Sequence, residues 1–242
     1  MAAEVSFQAA APGQPLASNS TATWVAALQD CLLPLRDAER AVPMQAYMKH
    51  HFSFLGIPTP ARRAACLPVL RTLHAAEAAQ LLVLAQSLWA LPEREYQYVA
   101  IDVLAKYEKK LSLTALPNLL ALVQEKSWWD SVDGLAGVVG DVVRRSPAAG
   151  QAVMDEALHH SNLWVRRVAM LHQLGWRAQV DAQRLFAYAL QLAPEQDFFI
   201  RKAIGWALRD YARHNPQAVR DFLAEQGKQL SPLSVREAAK HL

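Results

Sequence analysis

From Thr21 onward the apolar residues recur at i, i+3, i+4 and i+7, and no segment alternates like a strand. "WVAALQDCLL", "MQAYMKHHF", "ARRAACLPVLRTLH", "AAQLLVLAQSLWAL", "EREYQYVAIDVLAKYEKKL" and "QRLFAYALQLA" all carry this period. It restricts the chain to helix packed on helix. Proline-bearing breaks at "GIPTP" 56–60, "LPE" 91–93, "SP" 146–147, "AP" 193–194, "NP" 215–216 and "SP" 231–232 divide it into about a dozen short helices joined by tight turns. Three segments, "SWWDSVDGLA" from 127, "NLWVRRVAML" from 162 and "DFFIRKAIGW" from 197, align at a spacing of 35 residues. Each has an aromatic third residue, Trp129, Trp164 and Phe199. One helix pair per repeat predicts an all-α fold, an α-solenoid of HEAT-like antiparallel helix pairs with a concave face. Residues 1–20, rich in Ala, Pro, Ser and Gly, are expected to form a flexible tail, and residues 21–242 one repeat domain.

A chain of 242 residues, 52% of them hydrophobic, can bury a sizeable core. Its longest apolar run, "LLVLAQSLWAL" at 81–91, is interrupted by Gln86 and Ser87 and falls short of the roughly 18 residues of a membrane span. Glu4 stands where a secretory signal would carry basic residues, so export is not expected. The two cysteines, Cys31 and Cys66, form no C-x-x-C pair, which fits a reducing cytoplasm and two small buried hydrophobes. The pairs His50–His51 and His159–His160 lack the i, i+4 spacing of helical metal ligands, and no metal or cofactor is expected. A net charge of +3 is too small to announce a nucleic-acid binder unless it is unevenly spread. It is: Ala41 to Ala76 holds Lys49, Arg62, Arg63 and Arg71 and no carboxylate.

The stretch "KSWWDSVDGLAGVVGDVVRR" at 126–145 is poor material for a surface helix. Trp129 and Asp133 are four apart and share a face. Gly134, Gly137 and Gly140 each cost roughly 1 kcal/mol against alanine inside a helix, which implies close approach by a neighbouring helix or a ligand backbone. The tryptophans and glycines alone read as core. The carboxylate argues against that reading, because an aspartate beside tryptophan needs a cationic partner, and Arg167, one repeat on, is a candidate. Asp130, about 300° from Asp133 round the helix, is read as the bland acid. "GLAGVVG" is no phosphate loop, since no strand precedes it and no Lys-Ser/Thr follows.

These residues bring out a family likeness. "MQAYMKHHFSFLGIPTPARR" at 44–63, "EREYQYVAIDVL" at 93–104, "KSWWDSVDGLA" at 126–136, "NLWVRRVAMLHQL" at 162–174 and "DFFIRKAIGWALRDYARHNP" at 197–216 occur in this order. Together they resemble the AlkD family of DNA alkylation repair glycosylases over nearly all of the chain after the tail. The resemblance implies a catalytic aspartate at Asp133 with Trp129 beside it, a second cleft tryptophan at Trp206, and a backbone-facing tyrosine at Tyr47. It places the cleft arginine in "WVRR", at Arg166 or Arg167, with Arg167 favoured by its spacing to Trp206. Thr59 and Arg63 look like phosphate contacts, and Arg209, one turn from Trp206, could be another.

The implied activity is hydrolysis of the N-glycosidic bond of N3- or N7-alkylated purines in double-stranded DNA, by a monomer without cofactor. A cationic purine leaves without protonation, which accounts for the lack of a second catalytic carboxylate; a carboxylate can then stabilise the oxocarbenium-like sugar and orient water. Tryptophans and a tyrosine would cradle the cation, and arginines would hold phosphates. Glycosylases commonly extrude the base into a pocket, whereas this family is thought to grip the backbone on the concave face without enclosing it. The competing reading is a non-catalytic solenoid that binds DNA or a protein. Such a binder would be expected to have replaced the catalytic aspartate, and a protein scaffold needs no lining of aromatics and arginines.

Overall fold

The computed structural model of the protein describes residues 18–242. Most of the expected tail at 1–20 therefore lies outside the described residues. Among those described, every regular element is helical, and the only β-type pairing is an isolated bridge between Ser53 and Glu93. No described helix is long and apolar enough to cross a membrane. The chain divides into two compact units, one up to Asn118 and one from Leu119 to Leu242.

The first unit holds α1 (Ser18–Leu32), α2 (Ala38–Tyr47), α3 (Thr59–Thr72), α4 (Ala78–Ala90) and α5 (Arg94–Lys106). The boundary falls within α6 (Leu116–Gln124). α1 packs on α3 and α4, and α5 on α3 and α4, around Leu28, Leu32, Leu81, Leu84, Leu88 and Val103, all buried. The expected break at 56–60 precedes α3, whose N-cap is Pro58. The buried Glu95 carboxylate accepts the N–H groups of Leu55, Gly56 and Ile57, so α5 fixes the loop that launches α3. The helix expected over "MQAYMKHHF" stops at Tyr47, because Lys49 and His50 both adopt positive φ, at 55° and 60°. There the Lys49 and His50 N–H groups turn back to the Ala46 and Gln45 carbonyls, closing the helix without the glycine that usually marks such an end.

The second unit continues with α7 (Trp129–Arg145), α8 (Pro147–Ala157), α9 (Leu163–Leu171), α10 (Ala182–Leu192), α11 (Phe198–Ala212), α12 (Pro216–Gln226) and α13 (Pro232–Ala238). α7 packs on α9, α9 on α11 and α11 on α13, with α8, α10 and α12 connecting them as helix pairs. The starts follow sequence chemistry. Prolines open α8, α12 and α13, while the side chains of Asn162, Asp197, Asn215 and Ser231 accept first-turn N–H groups of α9, α11, α12 and α13. The helices α7, α9 and α11 begin 34 and then 35 residues apart, so aligning Trp129 with Trp164 and Phe199 is one residue out of register. The ring that joins the other two is Trp128, the N-cap of α7, with centroids 5.8 Å from Trp164 and 5.0 Å from Phe199.

The glycines of α7 have different explanations. A Cβ on Gly140 would lie 1.9 Å from the His172 carbonyl oxygen, so this glycine seats α7 against the end of α9, a neighbouring helix rather than a ligand. Gly137 faces open space, and nothing in the structure explains it. Of the two cysteines, Cys66 is buried, with burial the largest cause pushing its thiol up to about 12, whereas Cys31 is only half-buried; neither forms a disulfide.

Candidate active site

Capping sets the geometry. With Trp128 as the N-cap of α7 and Asn162 as that of α9, Asp133 and Arg167 occupy the same position along neighbouring helices and face one another. Arg167 Nε donates to Asp133 Oδ1 at 2.8 Å and Nη2 to Oδ2 at 2.9 Å, a bidentate fork, while Nη1 donates to the Phe199 carbonyl of α11. The Arg167 side chain is 1% exposed and that of Asp133 21%. The guanidinium is therefore a buried clamp on three helices, and the carboxylate is the part that reaches solvent. The fork's guanidinium also faces a ring: the Trp206 ring lies 5.6 Å from the Arg167 guanidinium carbon. Lys202 and Arg209 lie 5.9 and 5.7 Å from the same ring.

Burial pushes the Asp133 carboxyl above the usual aspartate value, and the Arg167 fork opposes that rise. The negative charge of Asp130 adds to it, which corrects the view of Asp130 as lying on a remote face. A separation of 300° one way is about 60° the other, and residues three apart on a helix are neighbours. Trp129, half-buried, stands one turn before Asp133 on α7. Arg166, the alternative arginine, faces elsewhere: it forms its own fork with Glu195 at 2.7 and 2.8 Å and donates to the His160 and Ser161 carbonyls.

The remaining candidates belong to the first unit. Tyr47, the last residue of α2, and Thr59, the first of α3, are both exposed. Arg63 lies one turn after Thr59, with its side chain 64% exposed. It is not an isolated cation. Asp102 of α5 pairs with Arg63 at 2.9 Å and with buried Arg62 at 3.1 Å, so the acid-free interval of the sequence borrows its carboxylates from α5. Arg62 and Arg63 share one acid, which leaves an excess of one positive charge. Arg63→Ala is expected to lower the slope of log affinity for duplex DNA against log salt by at most about one contact, with Asp102 still neutralised by Arg62. Filter-binding titrations over a salt series measure it, and an unchanged slope would remove Arg63 from the DNA contacts.

Two residues of this neighbourhood escaped the sequence reading, Lys202 and Glu237. A signal was present: Asp133, Arg167, Lys202 and Glu237 are spaced by 34, 35 and 35 residues, a charged position recurring once per helix pair.

Comparison with known proteins agrees with this fold. The chain matches the DNA alkylation repair enzyme family over residues 28–242 and belongs to it. A predicted DNA alkylation repair enzyme from Enterococcus faecalis is 36% identical, with a TM-score of 0.81 over 86% of this chain and 96% of that one. Two structures from Streptococcus mutans share the fold at lower identity. AlkD2 has a TM-score of 0.58 at 19% identity over 72% of this chain and 86% of its own, and smu.31 has 0.58 at 18% over 72% and 89%. No curated protein matches the chain.

Proposed function

We propose that the protein is a DNA glycosylase that hydrolyses the N-glycosidic bond of cationic N3- or N7-alkylated purines in duplex DNA. The observation that carries this reading is a solvent-reaching carboxylate, Asp133, held in a bidentate fork by a buried arginine whose guanidinium lies 5.6 Å from the ring of Trp206.

A purine alkylated at N3 or N7 is already a good leaving group, so the enzyme must stabilise a sugar that becomes positive and aim a water at it. The fork takes one lone-pair direction from each Asp133 oxygen and fixes the plane of the carboxylate. The remaining lone pairs can face the oxocarbenium and accept a proton from water. Arg167 opposes the effect of burial on Asp133 and so favours its charged form. Trp206 and Trp129 offer electron-rich faces to the cationic nucleotide, each contact worth roughly 0.5–2 kcal/mol. The partial exposure of Asp133 fits a base that is not enclosed, with preference set by the charge and lability of the lesion.

Release of free 7-methylguanine from alkylated duplex is the direct test. Under single-turnover conditions the protein is expected to raise release above the spontaneous rate, with the steeper enhancement for the more labile 3-methyladenine. Duplex binding without release of either base would overturn the enzyme reading in favour of a binding protein.

A further inference from the structure

Lys202, Trp206 and Arg209 of α11 and its C-cap Arg213 fall at i, i+4, i+7 and i+11 and so form one stripe, about 16 Å long at 1.5 Å per residue. The stripe is basic with a tryptophan in the middle. Two of its cations are held by one acid: Glu237 of α13, 4% exposed, accepts Lys202 Nζ at 2.6 Å and Arg209 Nη1 at 3.0 Å. Lys240 is also paired with Glu237, at 2.8 Å. Three cations on one carboxylate leave an excess of two positive charges around Glu237, and two of those cations, Lys202 and Arg209, lie against the Trp206 ring. Hydrogen bonding from Lys202 and then Lys240 holds the Glu237 carboxyl down at about 2, so the acid stays ionised.

The packing beneath is built for this contact. A Cβ on Gly205 would lie 2.4 Å from the Glu237 Cβ and 2.9 Å from the Ser234 carbonyl oxygen, so only glycine lets α13 approach α11 this closely. The Ser234 hydroxyl donates to the Arg201 carbonyl at 2.8 Å and fastens the same contact. The cations keep unused donors. Lys202 gives one of three N–H groups to Glu237, and Arg209 uses Nη1 while its other nitrogens remain available. Beyond Trp206 the stripe borders a cleft of about 160 Å³ lined also by Arg209, Asp210 and Arg213, where the Asp210 carboxylate is engaged by the Gly175 N–H at 2.8 Å.

We propose that Lys202 and Arg209 form a two-cation clamp for a DNA backbone phosphate beside Trp206, and that Glu237 is the positioning residue that holds both heads within 6 Å of the ring. The clamp rests on the glycosylase reading for its substrate. Glu237 touches no substrate and acts through the two cations.

Binding of an undamaged DNA duplex to the full chain over a salt series, with excision of 7-methylguanine measured in parallel, tests it. Lys202→Gln is expected to weaken duplex affinity about eightfold at 0.1 M salt, the tenth-molar value of a slope of about −0.9 per phosphate, and to lower that slope by about one contact. Lys202→Arg restores both. Glu237→Gln adds net positive charge while freeing the heads, so duplex affinity should hold at or above the wild-type level while excision at saturating enzyme falls on the order of tenfold. A merely structural ion pair would behave otherwise, with affinity, excision and melting temperature of Glu237→Gln falling together; that result overturns the positioning role. Wild-type affinity and slope in Lys202→Gln, in a protein that excises normally, overturns the clamp alone. A wild-type chain that binds no duplex overturns the glycosylase reading and the clamp with it.

Discussion

Asp133→Asn is expected to bind alkylated duplex as the unmodified protein does and to release the base about a hundredfold or more slowly. The substitution keeps the shape of the side chain and one acceptor for the Arg167 fork, and it removes the negative charge that a developing oxocarbenium needs. Loss of one preorganised electrostatic group costs ~3 kcal/mol of transition-state stabilisation, about a hundredfold or more in rate. The residual rate should be largest for the most labile lesion, whose spontaneous loss already does part of the work. Asp130→Asn is the informative companion. Its charge lies near Asp133 and helps to raise that carboxyl, so its removal should move the acid limb of the rate profile to lower pH and change the neutral-pH rate by less than about threefold. Single-turnover release by both variants, with binding measured separately, decides the matter. Equal rates in Asp133→Asn and the unmodified protein would refute the assigned role.

The sequence spoke clearly wherever the physics is local. Apolar period and proline position predict helices, and the breaks at 56–60, 146–147, 215–216 and 231–232 contain the first residues of α3, α8, α12 and α13. What could not be read depends on partners distant in sequence. Arg63 looks free in an interval without acids, yet Asp102 arrives from α5. Arg166 and Arg167 are adjacent and chemically identical, and the phase of α9 sends one to Glu195 and the other to Asp133. The end of α2 at Tyr47 escaped because two non-glycine residues take positive φ there. The repeat itself was legible, but its register slipped by one residue, since α7 and α9 begin 34 rather than 35 residues apart; the aromatic that joins the ring cluster from α7 is its N-cap, Trp128. The repeat spacing marks Glu237 as a charged position, but its partners Lys202 and Arg209 come from a close helix approach through Gly205 that no spacing on one helix reveals.

Arg167→Gln tests the other half of the fork and is expected to lower both stability and excision. Removing one partner of a buried pair costs about 3–5 kcal/mol, and the lower end applies because Asp133 still touches water. The carboxylate also loses its fixed plane, and misplacement by about 1 Å is enough for a loss on the order of a hundredfold in rate. The pH dependence separates these effects. Arg167 opposes the burial that raises the Asp133 carboxyl, so its loss raises that carboxyl further. A raised carboxyl favours folding when protonated and loses that contribution as pH rises through the folded value. The stability deficit of Arg167→Gln against the unmodified protein should therefore be largest near neutral pH and shrink toward acid, while the acid limb of excision moves to higher pH. Denaturant midpoints at about pH 7 and about pH 5 read the first effect, and the rate profile reads the second. Asp133→Asn and Arg167→Gln combined should be more stable than Arg167→Gln alone, because no unpaired charge remains, and no slower than Asp133→Asn alone, because the two residues act as one device. Additive losses in the double variant, or a deficit that grows toward acid, would show that the fork does not hold Asp133 in its charged, oriented form.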